Sequence, residues 1–284
     1  MKKLLLIMLV LLVFITACAQ TEIFSETEIT TSSVPETETS VWDEIVLSSL
    51  GELSIWRDAD STIIGRWGPH ATDIPTTIYI QNAGNNNLDL LDAMTFAVNA
   101  WNEALSIPGH MSVEEFQGDS PPAGARIWFV GGTAEQLVAV RRTLLPCFTE
   151  VFLTGTDRPD SSGNPRPRAG AACQQHRRRE GHWIYINNYG QNVRITGRIL
   201  IRKYGFIRAR DQGNLTSEQL QNLYRNVAIH ELAHALGWWI HSGQTVDIMY
   251  RNNINNTWPN ARQTLTVPEI NHLRQVYGLA PLIE

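Results

Sequence analysis

The apolar positions of this chain fall into short β-branched and aromatic runs and into longer stripes at helical spacing, and each kind predicts a different element. "TTIYIQN" (76–82) has the content of a strand. In "NLDLLDAMTFAVNAWNEALS" (87–106), Leu90, Met94, Ala97, Trp101 and Leu105 share one helical stripe. "HMSVEEF", "ARIWFVGG" and "HWIYINN" (182–188) read as strands, and "GRILIRKYG" as a further one. Thr216 and Gln219 make a capping box for a late helix. Its buried face, Leu220, Leu223, Tyr224 and Val227, runs directly into His230, Glu231 and His234, which places that helix centrally. A strand, a helix, several strands and a late helical half predict an α+β fold, a mixed sheet packed with helices.

The first residues stand outside this pattern. "MKKLLLIMLVLLVFITACAQ" has two lysines, an apolar run and then small residues. The run is shorter than the roughly 20 residues of a spanning helix, so residues 1–17 read as an export signal. Ile15-Thr16-Ala17-Cys18 resembles a bacterial lipobox. Lipidation of Cys18 would anchor the protein to a membrane, at the cell surface, without spanning it. A plain signal peptide or an uncleaved anchor is the alternative. Residues 18–42 are acidic, Ser/Thr-rich and almost free of large apolar side chains, and they read as a tether. The folded domain is expected over 43–284.

Composition is that of a globular chain: of 284 residues, 43% are hydrophobic and 18% charged, enough for one substantial core. Loss of residues 1–17 removes Lys2 and Lys3, leaving 21 basic against 28 acidic residues, a net charge of −7. That balance excludes a general nucleic-acid binder, and a monomer is expected. Arginines are nevertheless dense over 141–210, including Arg141-Arg142 and Arg177-Arg178-Arg179. They read as a solvated face, with contact to acidic surfaces or lipid phosphates as the alternative. Beyond Cys18 only Cys147 and Cys173 remain, and in an exported protein two such cysteines predict a disulfide rather than a metal pair. It would close a loop otherwise rich in turn formers.

The candidate chemistry lies in "HELAHALGWWIHSGQTVDIMY" (230–250). His230 and His234 are four apart, so on a helix their side chains share a face, about 5–6 Å apart at Cβ. Two imidazoles so placed can both reach one Zn²⁺. Glu231, beside the first of them, is angled to take a proton from a water that the metal activates and to pass it to the leaving amine. Gly237 would end the helix, and the turn would return His241 as third ligand. A bare HExxH also arises by chance; the export signal, Gly237, His241 and Met249 are what add to it.

These residues carry a family resemblance. The block resembles the metzincin signature, HExxHxxGxxH followed by a Met-turn, and is most similar to matrixin-like peptidases. Ser242 follows the third histidine, "DIMY" (247–250) resembles the Met-turn, and "LTVPEINHLRQVYGL" (265–279) resembles the closing helix, starting at a Thr266 cap. The resemblance implies a twisted mixed sheet over a cleft, one catalytic zinc, and a protein or peptide substrate lying extended along an edge strand. It implies zinc ligation by His230, His234 and His241, a catalytic Glu231, Met249 beneath the site and Tyr250 lining the pocket. His241 falls one residue later than the signature's third histidine, and Tyr250 directly follows Met249, so no tyrosine ligand is implied. "LLPCFTE" around Cys147 lacks the flanks of a cysteine switch, and there is no histidine pattern for a second, structural zinc. Calcium at "GTDRPDSSGN" competes with a solvated turn. His70, His110, His176, His182 and His272 have no ligand spacing and read as structural or exposed. Trp238 and Trp239 read as packing around the turn, with substrate binding as the alternative. The expectation is therefore an exported zinc endopeptidase, and the rival is a non-catalytic surface lipoprotein that keeps the fold and the metal.

Overall fold

Ile78 and Ile80 are buried while Tyr79 between them packs against Phe116 on the opposite side, so strand β2 (Thr77–Asn82) belongs to a sheet covered on both faces. The computed structural model describes residues 63–154, 169–186, 192–238, 241–242, 246–250 and 264–282; of 63–64, 151, 174–186 and 192–198 it describes the backbone. All of these lie in one compact unit, Thr39–Glu284. The expected signal, the Cys18 anchor, the tether and the calcium candidate at 155–164 lie outside the described residues, as do Trp239 and Ile240.

The other strands are β1 (Ile63–Arg66), β3 (Ser112–Glu115), β4 (Ile127–Gly132), β5 (Gly170–Ile186) and β6 (Asn192–Arg208). The sheet runs β3–β2–β4–β6–β5, and all neighbours are parallel except β5, which is antiparallel to β6. β6 is long enough to pair with β1 through Thr196–Ile199 and with β4 through Lys203–Arg208. β4 is buried at every position, as a central strand covered on both faces must be.

Among the described residues the α-helices are α1 (Leu90–Ala104), α2 (Ala134–Val140), α3 (Glu150–Thr154), α4 (Ser217–Leu236) and α5 (Val267–Val276). The fold is α+β, a mixed, mainly parallel sheet packed with helices. The α1 stripe Leu90, Met94, Ala97, Trp101 and Leu105 is wholly buried and meets α4 in one core cluster with Ile127 and Phe129 of β4. Trp128 and Val130, on the other face of β4, join Leu137 of α2, Leu153 of α3 and Phe206 in a second cluster. Arg225 of α4 grips Asp92 of α1 with both Nε and Nη2, at 2.6 and 2.7 Å, and so registers the two helices.

"HWIYINN" and "GRILIRKYG" prove to be parts of the much longer β5 and β6. The segment expected as a plain loop between Cys147 and Cys173 contains α3 and the start of β5. α3 has too few residues for a periodic signal; burial of Phe148 and Leu153 in the second cluster holds it. Cys147 and Cys173 are joined by a disulfide, with Cα atoms 6.6 Å apart.

Candidate metal centre

α4 opens on a reciprocal cap. Thr216 Oγ1 accepts from Gln219 N at 3.1 Å, and Gln219 Oε1 accepts from Thr216 N at 2.9 Å. It closes at Gly237, whose φ of +126° belongs to glycine and where a Cβ would stand 2.3 Å from Gly65 O. Helix ends leave four carbonyls without intrahelical partners. Here all four have donors. Ala233 O accepts from Trp238 N (3.0 Å) and His234 O from Lys203 Nζ (2.6 Å) and Gly237 N (3.3 Å). Ala235 O accepts from Trp67 Nε1 (2.9 Å) and Leu236 O from the Tyr277 hydroxyl. Lys203 is buried on β6, and desolvation pulls its ammonium pKa down to about 7.

The two helix histidines are oriented by backbone. His230 Nδ1 donates to Ile248 O at 2.8 Å, and His234 Nδ1 to Trp238 O at 2.7 Å. A carbonyl oxygen only accepts, so Nδ1 carries the hydrogen and each Nε2 keeps its lone pair. His241 completes a triangle whose ring centroids are 4.9, 5.0 and 5.2 Å apart. One nitrogen from each ring lies within 4.8 Å of the others, close enough to bind a metal ion. Burial pushes His230 down to about 4. Burial first, and then His230 and His241, hold His234 well below the usual imidazole range. Neutral imidazoles without a carboxylate or thiolate suit a borderline divalent ion; zinc fits this donor set, and calcium and magnesium do not.

Glu231 is 2% exposed and follows His230 on the helix. Its carboxylate lies against Gly170, the first residue of β5: a Cβ there would stand 2.9 Å from Oε1. No sequence signal marked Gly170, because its neighbour is 61 positions away and only the packing of α4 against β5 brings them together.

The turn through Met249 is clamped from α5. Ser242 N donates to Met249 O (2.7 Å), Tyr250 N to Asp247 O (3.2 Å), and the Ser242 hydroxyl to Asp247 Oδ2. Thr266 Oγ1 donates to the other Asp247 oxygen at 2.8 Å. Glu269 Oε1 accepts from Met249 N at 2.8 Å while Oε2 accepts from Thr266 N at 2.9 Å. Glu269 thus closes the α5 capping box and holds the turn, and burial pushes its carboxyl up to about 7. Met249 is fully buried, and Tyr250 is half-buried.

Of the remaining histidines, His110 Nε2 bonds Ile74 O at 2.7 Å, His272 is buried against Trp238 and His70 is exposed. Trp238 is itself fully buried, as packing requires. The side chains of His176 and His182 lie outside the described residues. No protein-family model matches this chain, and no curated protein matches its sequence.

Proposed function

We propose that this chain is a zinc-dependent endopeptidase of metzincin, matrixin-like type, exported and held at a membrane through a lipidated Cys18. The observation that carries the reading is the buried Glu231 beside three imidazoles whose ligand nitrogens converge within 4.8 Å. Zinc bound to those nitrogens would supply Lewis acidity toward a scissile carbonyl and toward a water molecule. His230 and His234 arrive in the tautomer that binds, because Ile248 O and Trp238 O hold their Nδ1 hydrogens. Glu231 accepts the proton from the attacking water and returns it to the leaving amine. At 2% exposure Glu231 is shielded from bulk water that would compete for that proton.

Among the described residues β5 pairs with β6 alone, and its start touches Glu231. A substrate added to the outer edge of β5 would bind as an extra strand, read mainly through backbone hydrogen bonds.

The test is cleavage of denatured casein by the full chain with and without a chelator, beside Glu231→Ala. Chelation should abolish cleavage and added zinc restore it, while E231A should retain zinc and lose about 10²–10⁴-fold in rate. Stoichiometric zinc with no cleavage of any unfolded protein would overturn the peptidase reading and leave a metal-binding module.

A further inference from the structure

A second site is built where the sheet changes direction. From β2 the chain passes into α1 on one face, and from β4 it passes into α2 on the other, as membership of the two core clusters shows. β3 and β4 consequently flank β2 on opposite sides. Strand ends that diverge in this way leave a crevice at their carboxyl ends, the recurrent place for ligands in parallel sheets. Here that crevice is a cavity of about 710 Å³, within the size range of small-molecule sites. It is lined by the loops that follow β2, β4 and β6, and none of His230, Glu231, His234 or His241 contributes to it.

Its walls are pre-formed. Asn86 Nδ2 donates to Gln136 Oε1 (3.1 Å) and to Gly84 O (2.9 Å), and Asn86 Oδ1 accepts from Leu88 N (3.0 Å). Asn87 Nδ2 donates to Arg210 O (2.7 Å), and Asn87 Oδ1 accepts from the Tyr224 hydroxyl (3.1 Å). These amides are occupied in shaping the loop, so recognition falls to the charged side chains. Arg208 lines the cavity at only 5% exposure. Its Nη1 donates to Leu153 O at 3.0 Å, and among the described residues its guanidinium makes that one hydrogen bond and no ion pair. Burial, and then the neighbouring Arg210, push its pKa down to about 10 against the opposing pull of Glu135, which acts on it through space without a direct ion pair. Half-buried Arg210, and Glu135 and Asp211, both exposed, also line the cavity, so its charged groups are two cations and two acids.

We infer that this cavity binds a small zwitterion of the amino-acid or short-peptide class, its carboxylate on Arg208 and its ammonium by Glu135 and Asp211. A guanidinium matches a carboxylate in planar, two-point fashion. The two exposed acids oppose a plain anion and favour over it a ligand that also carries a positive end. The arginine density over 141–210, which read as a solvated face, thus includes one member turned inward for binding. This site does not depend on the metal reading.

The experiment is titration calorimetry of the full chain with diglycine in excess chelator, with acetate and inorganic phosphate as comparisons. Chelator keeps diglycine off the histidines, so failure here and failure of the metal centre remain distinct. Saturable binding of diglycine is expected, weakened at least about tenfold by Arg208→Gln, the loss of a charge-assisted contact. Because Arg208 also holds Leu153 O, a second variant joins Glu135→Gln to Asp211→Asn at exposed positions. It should weaken diglycine about three- to tenfold and leave acetate no weaker, since the acids that repel it are gone. No saturation by about 10 mM diglycine, or equal affinity in the wild type and the rim variant, overturns the inference. Acetate or phosphate binding as tightly as diglycine overturns it too.

Discussion

Gly170 and Glu231 touch: a Cβ on Gly170 would lie 2.9 Å from both Cγ and Oε1 of the glutamate and the same distance from Phe206 O. The backbone oxygen cannot retreat, so the carboxylate must. Gly170→Ala should therefore lower kcat for casein-derived peptides by about 10- to 100-fold, the cost of a misplacement near 1 Å. Zinc content should be unchanged, since no metal ligand moves. Equal rates in G170A and the wild type would show that the carboxylate has room to spare.

His241 is the exposed member of the histidine triangle, reached by a turn rather than by the helix. His241→Ala should weaken zinc by roughly a hundredfold or more in a chelator competition, since three protein ligands are the minimum for such a site. His70→Ala, at an exposed position away from the triangle, should leave affinity unchanged. Identical affinities for the two variants would remove His241 from the ligand set.

Gly237 answers two demands at once, a φ of +126° and an approach to Gly65 O that leaves no space for a Cβ. Gly237→Ala should cost more than about 2 kcal/mol in a denaturant titration, because backbone strain and the clash add. It should also loosen zinc, as Trp238 O anchors His234 from the next residue. A loss below half that size would mean that β1 and the turn shift freely.

Glu269 gives the turn a pH dependence. Burial raises its folded pKa to about 7, above the ordinary carboxylate value of 4.5. Between those values the native state holds a proton that the unfolded chain has released, so stability falls as pH rises. The contribution is fully present below about pH 4.5 and is lost through about pH 7, up to about 3 kcal/mol. Stability curves from pH 4 to 8 should show wild type declining relative to Glu269→Gln, which cannot ionise. Parallel curves would mean that the hydrogen bonds from Thr266 and Met249 offset the burial.

The local half of this design was legible in order. Thr216 with Gln219, and Thr266 at the head of α5, were readable as caps because a cap involves residues three apart. The α1 stripe was readable because its period matches the helix, and burial follows it at every position. The convergence of His241 with His230 and His234 was implied by resemblance, and the triangle among the described residues agrees with a metal site. The lengths of β5 and β6 were not readable, since a strand extends as far as a partner pairs with it and the partner lies elsewhere in the chain.

By itself, then, the sequence determined which residues sit on the buried faces of α1 and α4, where α4 starts and stops, and which donor atoms are available to a metal. Only the tertiary structure decided what holds them. Trp67, Lys203 and Tyr277 reach the last carbonyls of α4 from 31 to 168 residues away, and the partner of Glu231 comes from the start of β5. The cavity around Arg208 likewise exists only where loops after three strands meet. Periodicity records contacts within a turn of helix; contacts between distant segments are selected by packing and by the need to satisfy buried carbonyls, and they leave no spacing to read.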